Sequence, residues 1–425
     1  NDPFSCRFGE AGDTAIIFFS TFRRKCREEW SMSRSFAVFF SLYMLMYGSM
    51  HVFVYFKLRS ALGRGWKWTA LFILVSLAMI VGARALWLFD FGDAHTLRKV
   101  LSYSGYVWMA FIFMTFAWFV LIDLVRFLFW IIDGLLSSRF GDLLGSPKLR
   151  AAVAVSAALS ICVYGWFEAL NIRTVTITIP TAKLPRGVDR VRIAQLSDVH
   201  LGWIIQEDRL AAMLDAVKAA EPDMLVITGD LVDGDMEERE AEVALFRSMK
   251  LPHGVYAVTG NHEYHAGIGQ ALAFKEHAGL RVLRNEAVRA GGVILAGVDD
   301  RAARRYGYET VPDASVLSGM PHNRFVVLLK HQPFIDSDAV GLFDLQLSGH
   351  THGGQIWPFY WATRAVYDYR PGLRAIVPPE RSGQAHAASP GRQSRIYANN
   401  GTGTWGPPIR FLTPPEVTVI DIVRQ

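Results

Sequence analysis

Five short stretches of the sequence place histidines, aspartates and one asparagine beside glycines. These are Asp198-Val199-His200, Gly229-Asp230, Gly260-Asn261-His262-Glu263, Lys330-His331 and Gly349-His350-Thr351-His352. Imidazole, carboxylate and amide groups bind divalent ions such as manganese, iron and zinc. Two such ions, roughly 3.5–4 Å apart, activate water and hold a phosphoryl group during in-line attack. The residue types therefore predict a two-metal hydrolytic centre.

The ligand-type residues follow predicted strands. From residue 171 onward, short β-type runs alternate with polar stretches of helical period. This pattern predicts strands at residues 174–179, 191–196, 224–228, 255–259, 293–298, 325–329, 345–348 and 417–422, and helices at 206–220 and 236–249. Asp198, Asp230, Asn261, His331 and His350 stand at or just after the carboxyl ends of predicted strands. Because α/β sheets open their ligand crevice at that edge, we expect the five side chains to converge.

Residues 172–425 are therefore predicted to form one α/β domain, with sheets covered by helices. Residues 371–391 are rich in Pro, Gly, Ser and Ala, which predicts a loop insertion or flap. The three cysteines are Cys6, Cys26 and Cys162. The domain thus contains neither an internal disulfide nor a thiolate ligand, so its metal ligands must be imidazole, carboxylate or amide.

The N-terminal part has a different character. Four apolar stretches are long enough to cross a hydrocarbon core, which takes roughly 20 helical residues. They cover residues 36–56, 69–89, 103–122 with a continuation towards 132, and 149–170. We therefore predict a tail over residues 1–35 and a four-helix transmembrane domain over 36–171, with a soluble helical bundle as the alternative. Arg84, Asp123 and Arg126 fall inside the spans, where pairing within the bundle is favoured over a lipid or substrate pathway.

The charge distribution bears on partners and orientation. Residues 1–171 hold 17 Lys and Arg against 11 Asp and Glu, whereas the remainder holds 27 against 28. The excess positive charge thus flanks apolar segments, which argues against a nucleic-acid-binding surface. Ten basic residues lie on the side of the tail and the C-terminal domain, and seven on the opposite side. This small bias favours a cytoplasmic domain on a multi-pass bacterial inner-membrane protein and leaves the side open.

The motifs resemble the signature of the calcineurin-like metallophosphoesterases over roughly residues 190–425. Their flanking residues are similar to a membrane-associated branch of that family, some members of which carry N-terminal transmembrane helices. The residues that carry this similarity are Gln195-Leu-Ser-Asp-Val-His-Leu-Gly202, Lys330-His-Gln-Pro333, Gly349-His-Thr-His-Gly-Gly-Gln-Ile356 and Pro408-Ile-Arg-Phe-Leu-Thr-Pro-Pro-Glu416. The resemblance implies two β-sheets packed together with helices outside.

The resemblance also implies roles for the motif residues. One metal would be held by Asp198, His200, Asp230 and His352, and the other by Asp230, Asn261, His331 and His350, with Asp230 as the bridge. His262 resembles the non-ligand histidine of the family, which stabilises the equatorial oxygens or protonates the leaving oxygen. Glu263 or Asp233 would orient it. Of the remaining histidines, His265 is the one to follow, while surface or packing roles are predicted for His253, His277, His322 and His386.

Together these features predict a membrane-anchored, dinuclear metal-dependent phosphoesterase. Its substrate would be a phosphate-containing small molecule or lipid at the bilayer, and UDP-2,3-diacylglucosamine of lipid A synthesis is the named candidate. An exported phosphodiesterase or phosphatase of the cell envelope is the alternative, and a non-catalytic metal- or phosphate-binding membrane sensor is the alternative of another class. Phosphoproteins are disfavoured because Gly229-Asp-Leu-Val-Asp-Gly234 lacks the arginine of calcineurin-type protein phosphatases. Neither the choice among manganese, iron and zinc nor an oligomeric state follows from the sequence.

Overall fold

The computed structural model describes residues 38, 41–88, 95–136, 139–141, 145–234, 236, 239–376 and 393–425, with side chains over the same ranges except 81–88 and 95. The chain divides into two compact units. One comprises Asn1–Phe72 and Thr115–Ala154, and the other comprises Ile73–Met114 and Val155–Gln425. All of the predicted metal ligands lie in the second unit.

Four helices occupy the described residues before 171. They are α1 over residues 41–62, α2 over Trp66–Leu88, α3 over His95–Leu136 and α4 over Pro147–Leu170. By length and apolar composition, two of these, Thr96–Leu136 and Pro147–Leu170, are able to cross a membrane, whereas Trp66–Ile80 is a shorter apolar helix. The predicted span 36–56 begins outside the described residues, and the span 69–89 ends outside them. The four-helix transmembrane region therefore remains a prediction beyond these two helices.

Asp123, a charged residue of the first unit, is paired. Asp123 on α3 forms ion pairs with Lys57 on α1 and, at 3.7 Å, with Arg126 one helical turn away. Pairing offsets part of the cost of placing charge among apolar helices. This arrangement fits the structural role that the sequence favoured for Asp123 and Arg126, whereas the Arg84 side chain lies outside the described residues.

Two six-stranded sheets form the framework of the second unit. The first has the order β1-β12-β2-β3-β4-β5, from β1 (Arg173–Thr181), β2 (Arg190–Leu196), β3 (Met224–Thr228), β4 (Val255–Val258), β5 (Arg281–Val282) and β12 (Glu416–Arg424). The second has the order β10-β11-β9-β8-β7-β6, from β6 (Glu286–Ala290), β7 (Val293–Gly297), β8 (Val326–Leu329), β9 (Leu345–Ser348), β10 (Gly372–Ala375) and β11 (Arg395–Ala398). Strands β2 to β5 are parallel in one sheet, and β7, β8, β9 and β11 are parallel in the other. Several strands of each sheet therefore have their carboxyl ends at the same edge.

The two sheets pack face to face with helices outside. Ile193 and Val226 of the first sheet share a buried cluster with Leu295, Val327 and Leu345 of the second. Alternate residues on the outer face of the first sheet are covered by α5 (Glu207–Ala219), α6 (Glu240–Arg247) and α8 (Ile268–His277). On the outer face of the second sheet lies α9 (Asp313–Leu317). The α/β class of the domain is confirmed.

Two further helices flank the carboxyl edge of the sheets, namely α7 (Asn261–Ala266) and α10 (Phe359–Val366). All eight predicted strands are present, as are helices α5 and α6 within the predicted ranges 206–220 and 236–249. The predicted insertion at 371–391 is corrected in part, because residues Gly372–Ala375 form β10 and pair with β11. Residues 377–391 of that segment, with His386, lie outside the described residues.

Candidate metal centre

The predicted metal-ligand residues stand directly beyond the carboxyl ends of five strands. Asp198 follows β2, Asp230 follows β3, Asn261 follows β4, His331 follows β8 and His350 follows β9, each by two or three residues. The ends of both sheets thus supply one site, which is the convergence that the strand pattern predicted.

The backbone at this edge is strained, which the sequence did not reveal. Positive φ angles occur at Asp198 (54°), His200 (58°), Asp230 (50°), His350 (70°) and His352 (49°). A non-glycine residue in the left-handed region costs on the order of 1–3 kcal/mol, and such residues cluster at functional sites. These left-handed conformations form tight turns, from which the five ligand-type side chains point into the site.

Glycine is required where these turns meet. A Cβ built on Gly229 would lie 2.6 Å from Nδ1 of His331, and one on Gly349 would collide with Ser197 and Asp198. Only a residue without a side chain allows these loops to approach each other so closely.

The first group of predicted ligands consists of Asp198, His200 and His352. Nε2 of His200 lies 3.1 Å from Nε2 of His352, which in turn lies 3.4 Å from Oδ1 of Asp198. Burial, and then the neighbouring His262, lowers the pKa of His200 to about 4. Burial also lowers the pKa of His352 well below its usual value. Neutral imidazole is the form that binds a metal ion.

The second group consists of Asp230, His331 and His350, with Asn261 beside them. Nε2 of His331 lies 3.1 Å from Oδ2 of Asp230, 3.1 Å from Nδ1 of His350 and 3.2 Å from Oδ1 of Asn261. Nδ1–H of His331 donates to the carbonyl oxygen of Thr228 at 2.8 Å, which directs Nε2 into the site. Burial, followed by His331, lowers the pKa of His350 to about 3.

Asp230 lies between the two groups. Its Oδ2 is 3.1 Å from Nε2 of His331 and 3.9 Å from Nε2 of His200, while Oδ1 accepts a hydrogen bond of 2.8 Å from the backbone N–H of His262. Burial alone would raise the pKa of this carboxyl, but His331 and His262 hold it well below its usual value. A permanently charged carboxylate in this position can face two cations at once.

The donor atoms fit two divalent cations. Within each group of three, one donor atom of every residue lies within 4.8 Å of the others. Ring nitrogens of two histidines lie 3.1 Å apart in both groups, close enough for a cation or a proton to be shared between their lone pairs. Nitrogen and oxygen donors in this mixture suit manganese, iron or zinc.

His262 is oriented by Asp233. Its Nδ1–H donates to Oδ1 of Asp233 at 2.8 Å, which leaves Nε2 as the atom available to a substrate. Burial alone would lower the pKa of His262, but Asp230 and Asp233 raise it to about 9. Divalent cations beside Asp230 would oppose this rise in the pKa of His262, because their positive charge disfavours the protonated imidazole. His265 contacts His262 edge to face, with ring centroids 5.3 Å apart, and burial lowers its pKa.

Glu263 does not orient His262 but holds the backbone around Asp230. Its carboxylate accepts backbone N–H hydrogen bonds from Asp230 at 3.0 Å, Leu231 at 2.8 Å and Gly260 at 2.6 Å. Nζ of Lys275, on α8, lies 2.9 Å from the same carboxylate, and both side chains are fully buried. The pair therefore locks the Gly229–Val232 turn and the start of α7 in place. No sequence signal pointed to Lys275.

Replacing Lys275 with methionine is expected to destabilise the protein by about 3–5 kcal/mol, because the charge of Glu263 is left buried without its partner. We also expect metal affinity to fall by about 10–100-fold, since the Asp230 turn loses its support. Thermal unfolding and metal titration measure the two effects. Lys218→Met is the control, because the Lys218–Asp215 pair is solvent-exposed and such pairs contribute about 0–1 kcal/mol. Equal losses in the two variants would contradict the prediction.

The sequence did not indicate an individual role for Arg410. It is fully buried, and its guanidinium donates to the carbonyl oxygens of Asn400, Gly401, Gly403 and Thr413. Its Nη2 lies 3.3 Å from Nδ1 of His352. The sequence placed Arg410 only within a C-terminal motif, whereas in the structure it is the centre of the loop behind His352, a predicted metal ligand.

Two packed sheets that bring carboxylates and histidines to one edge in two groups define a metal-dependent phosphoester hydrolase. A model of the calcineurin-like phosphoesterase family matches residues 191–354. A metallophosphoesterase of Aquifex aeolicus, itself uncharacterised, is 37% identical over 268 residues, which cover 62% of this chain and 97% of that protein. This chain belongs to the calcineurin-like metallophosphoesterases.

Similarity extends into the N-terminal helices in another relative. An uncharacterised metallophosphoesterase of Helicobacter pylori is 31% identical over 392 residues, covering 83% of this chain and 99% of that protein. A bovine protein named as a transmembrane protein with a metallophosphoesterase domain is 30% identical over 307 residues, covering 67% of this chain and 66% of its own length. The name of the bovine relative, together with the two apolar helices, weakly supports membrane association.

Proposed function

We propose that this protein is a membrane-anchored hydrolase of a phosphoester or pyrophosphate bond in an amphiphilic or lipid-linked substrate. The observation that carries the hydrolytic part is the position of Asp230 between two groups of buried histidines. The sensor alternative is less well supported, because each ligand position and the site of His262 are filled by a residue that can act.

The chain supplies the ligands and the acid. Asp198, His200 and His352 would hold one ion, Asn261, His331 and His350 the other, and Asp230 would bridge them. When bound, the two divalent ions activate water for attack and neutralise the phosphoryl oxygens. His262, held by Asp233, would donate a proton to the leaving oxygen or a hydrogen bond to the phosphoryl group.

The membrane part of the proposal rests on the link between the helices and the domain. α4 ends at Leu170 and β1 begins at Arg173, so little chain separates them. A guanidinium N–H of Arg209 donates to the carbonyl oxygen of Ala169 on α4 at 2.8 Å. The hydroxyl of Tyr103 on α3 donates to the carbonyl oxygen of Ile204 at 2.8 Å. A domain held this closely to apolar helices would work at a bilayer surface.

Substrate and orientation are linked. UDP-2,3-diacylglucosamine requires a cytoplasmic site in a multi-pass inner-membrane protein, whereas an envelope phospholipid or polymer phosphate requires an exported one. None of the three relatives described above is named for a substrate. Fusing a reporter that is active only in the periplasm after Gln425 separates the two: an active reporter would remove the UDP-sugar candidate.

The hydrolytic proposal is tested with the purified full chain loaded with manganese or zinc. We expect hydrolysis of a chromogenic phosphodiester, together with two bound ions per chain. Absence of activity on phosphomonoesters, phosphodiesters and pyrophosphates alike would refute the proposal.

A further inference from the structure

An apolar surface borders the metal centre. Eight large apolar side chains are exposed among the described residues between 171 and 425, and six of them lie in just two segments. We call these segments, residues 355–367 and 405–412, the apolar rim. Its six exposed residues are Trp357, Phe359, Trp361, Val366, Trp405 and Leu412.

The two segments of the rim form one connected surface. The side-chain amide of Gln355 donates to the carbonyl oxygens of Trp405 and Pro407, both at 3.0 Å, and accepts from the backbone N–H of Trp405 at 2.9 Å. Backbone hydrogen bonds also join Trp357 to Phe411 and Phe411 to Gln355. These bonds fix the exposed apolar side chains on ordered backbone.

The rim reaches the metal centre at two points. The ring of Trp405 contacts that of His262 at a centroid distance of 5.6 Å, and the ring of Tyr367 contacts that of His350 at 5.5 Å. Gln355 is also only three residues from His352. A molecule lying on the rim would therefore have its polar end at the metal ligands.

At its other side the rim contacts the parts of α3 and α4 that belong to the same unit. Phe359 stacks on Phe113 of α3 with ring centroids 4.9 Å apart, and Phe411 contacts Tyr164 of α4 at 6.0 Å. The backbone N–H of Arg410 donates to the carbonyl oxygen of Gly165 at 2.9 Å. Since α3 and α4 are the two candidate membrane spans, the surface that continues from them would meet lipid.

Helix α10 has the composition of an interfacial helix. None of its eight residues is buried, Trp361 is 56% exposed and Val366 is 64% exposed. Arg364 is exposed on the same helix, and Arg370 and Arg374 line a cavity of about 230 Å³ together with Tyr360. Aromatic and apolar residues beside arginines are typical of helices that lie in the interface of an anionic bilayer.

We propose that the apolar rim holds the hydrocarbon chain of a lipid phosphate while the phosphate reaches the metal centre. This inference rests on the proposed hydrolase function and specifies its substrate class. The connection from α3 and α4 through the rim to His262 and His350 gives such a substrate a continuous apolar path from the bilayer to the metal ligands. Soluble phosphoesters would reach the same metals without using the rim.

The test compares two chromogenic phosphodiesters with the same leaving group, methyl 4-nitrophenyl phosphate and hexadecyl 4-nitrophenyl phosphate. Full-length protein is assayed on both in the same detergent micelles at a fixed detergent-to-substrate ratio. We expect wild-type kcat/KM to be higher for the hexadecyl ester. In Trp361→Gln/Val366→Gln we expect kcat/KM for the hexadecyl ester to fall about 10-fold or more, and that for the methyl ester to stay within about twofold.

The single variants Val366→Gln and Val311→Gln form a matched pair, because both valines are exposed and only Val366 lies in the rim. Val311→Gln should leave both rates unchanged. Equal losses on the two esters, or no loss on either, would overturn the role of the rim. A wild type that hydrolyses both esters equally would also overturn it while leaving the hydrolase function intact. A wild type that hydrolyses neither ester would overturn the lipid phosphodiester assignment, and additional failure on phosphomonoesters and pyrophosphates would refute the hydrolase function itself.

Discussion

Asp230→Asn is expected to abolish phosphodiester hydrolysis and to reduce the metal content below two ions per chain. The Asp230 carboxylate lies 3.1 Å from Nε2 of His331 and 3.9 Å from Nε2 of His200, so both proposed ions depend on its charge. An amide keeps the shape but removes the charge. The loss should exceed the about 10–100-fold that is typical of residues behind the ligands.

Metal content by elemental analysis and the rate of diester hydrolysis test this prediction together. Asp215→Asn is the control, because the Asp215 side chain is 72% exposed and pairs only weakly with Lys218. We expect the control to match wild type in both measurements. Two tightly bound ions in Asp230→Asn, with a rate within tenfold of wild type, would show that Asp230 does not bridge the metals.

The central strands were predictable because they are buried on both faces. β3 is a run of five buried residues, Met224–Thr228, and such apolar runs bounded by turn residues indicate strands without any knowledge of their neighbours. By contrast, β5 has two residues, and β10 has four, none of them buried. Edge strands of this kind depend on pairing with a partner strand, which no local pattern reveals.

The extent of α3 illustrates a second limit. Its apolar centre identified residues 103–122 with a continuation towards 132, but the helix runs from His95 to Leu136. No proline interrupts it, so backbone hydrogen bonding continues past both ends of the apolar stretch. Near its start, Tyr103 bonds to Ile204 of the domain. Hydropathy indicates which residues of a helix lie in an apolar environment. It does not show where the backbone hydrogen bonding of the helix begins and ends.

For the candidate site, the residues that face the metals were predictable from the sequence. The side chains that hold those residues in position were not. The motif histidines and aspartates follow strand ends, so their convergence could be inferred from topology. The choice between Glu263 and Asp233 as the partner of His262 could not, because Glu263 is the sequence neighbour of His262 whereas Asp233 lies 29 residues away, and only the fold brings Asp233 to the ring. The structure assigns Asp233 to His262 and Glu263 to Lys275, which is twelve residues away on α8. Contacts of this kind, between a site residue and the side chain that positions it, depend on how distant parts of the chain pack together.

His262→Ala is expected to lower kcat by about 10²–10⁴-fold, the usual contribution of a general acid, and to leave two ions bound. Asp230 is held at this point by the backbone N–H of His262, at 2.8 Å, and not by its ring. The substitution therefore removes the imidazole and keeps the hydrogen bond that positions the bridging carboxylate. Metal content should stay at the wild-type value, in contrast to Asp230→Asn.

The leaving group decides which role His262 plays. 4-Nitrophenolate leaves readily without a proton, whereas an alkoxide must be protonated as it leaves. If His262 is the acid, His262→Ala should lose much more activity on a dialkyl phosphate than on a 4-nitrophenyl ester. His322→Ala, a change at an exposed histidine, should affect neither. Equal losses on the two substrates would mean that His262 stabilises the phosphoryl oxygens, since their charge develops whichever group departs.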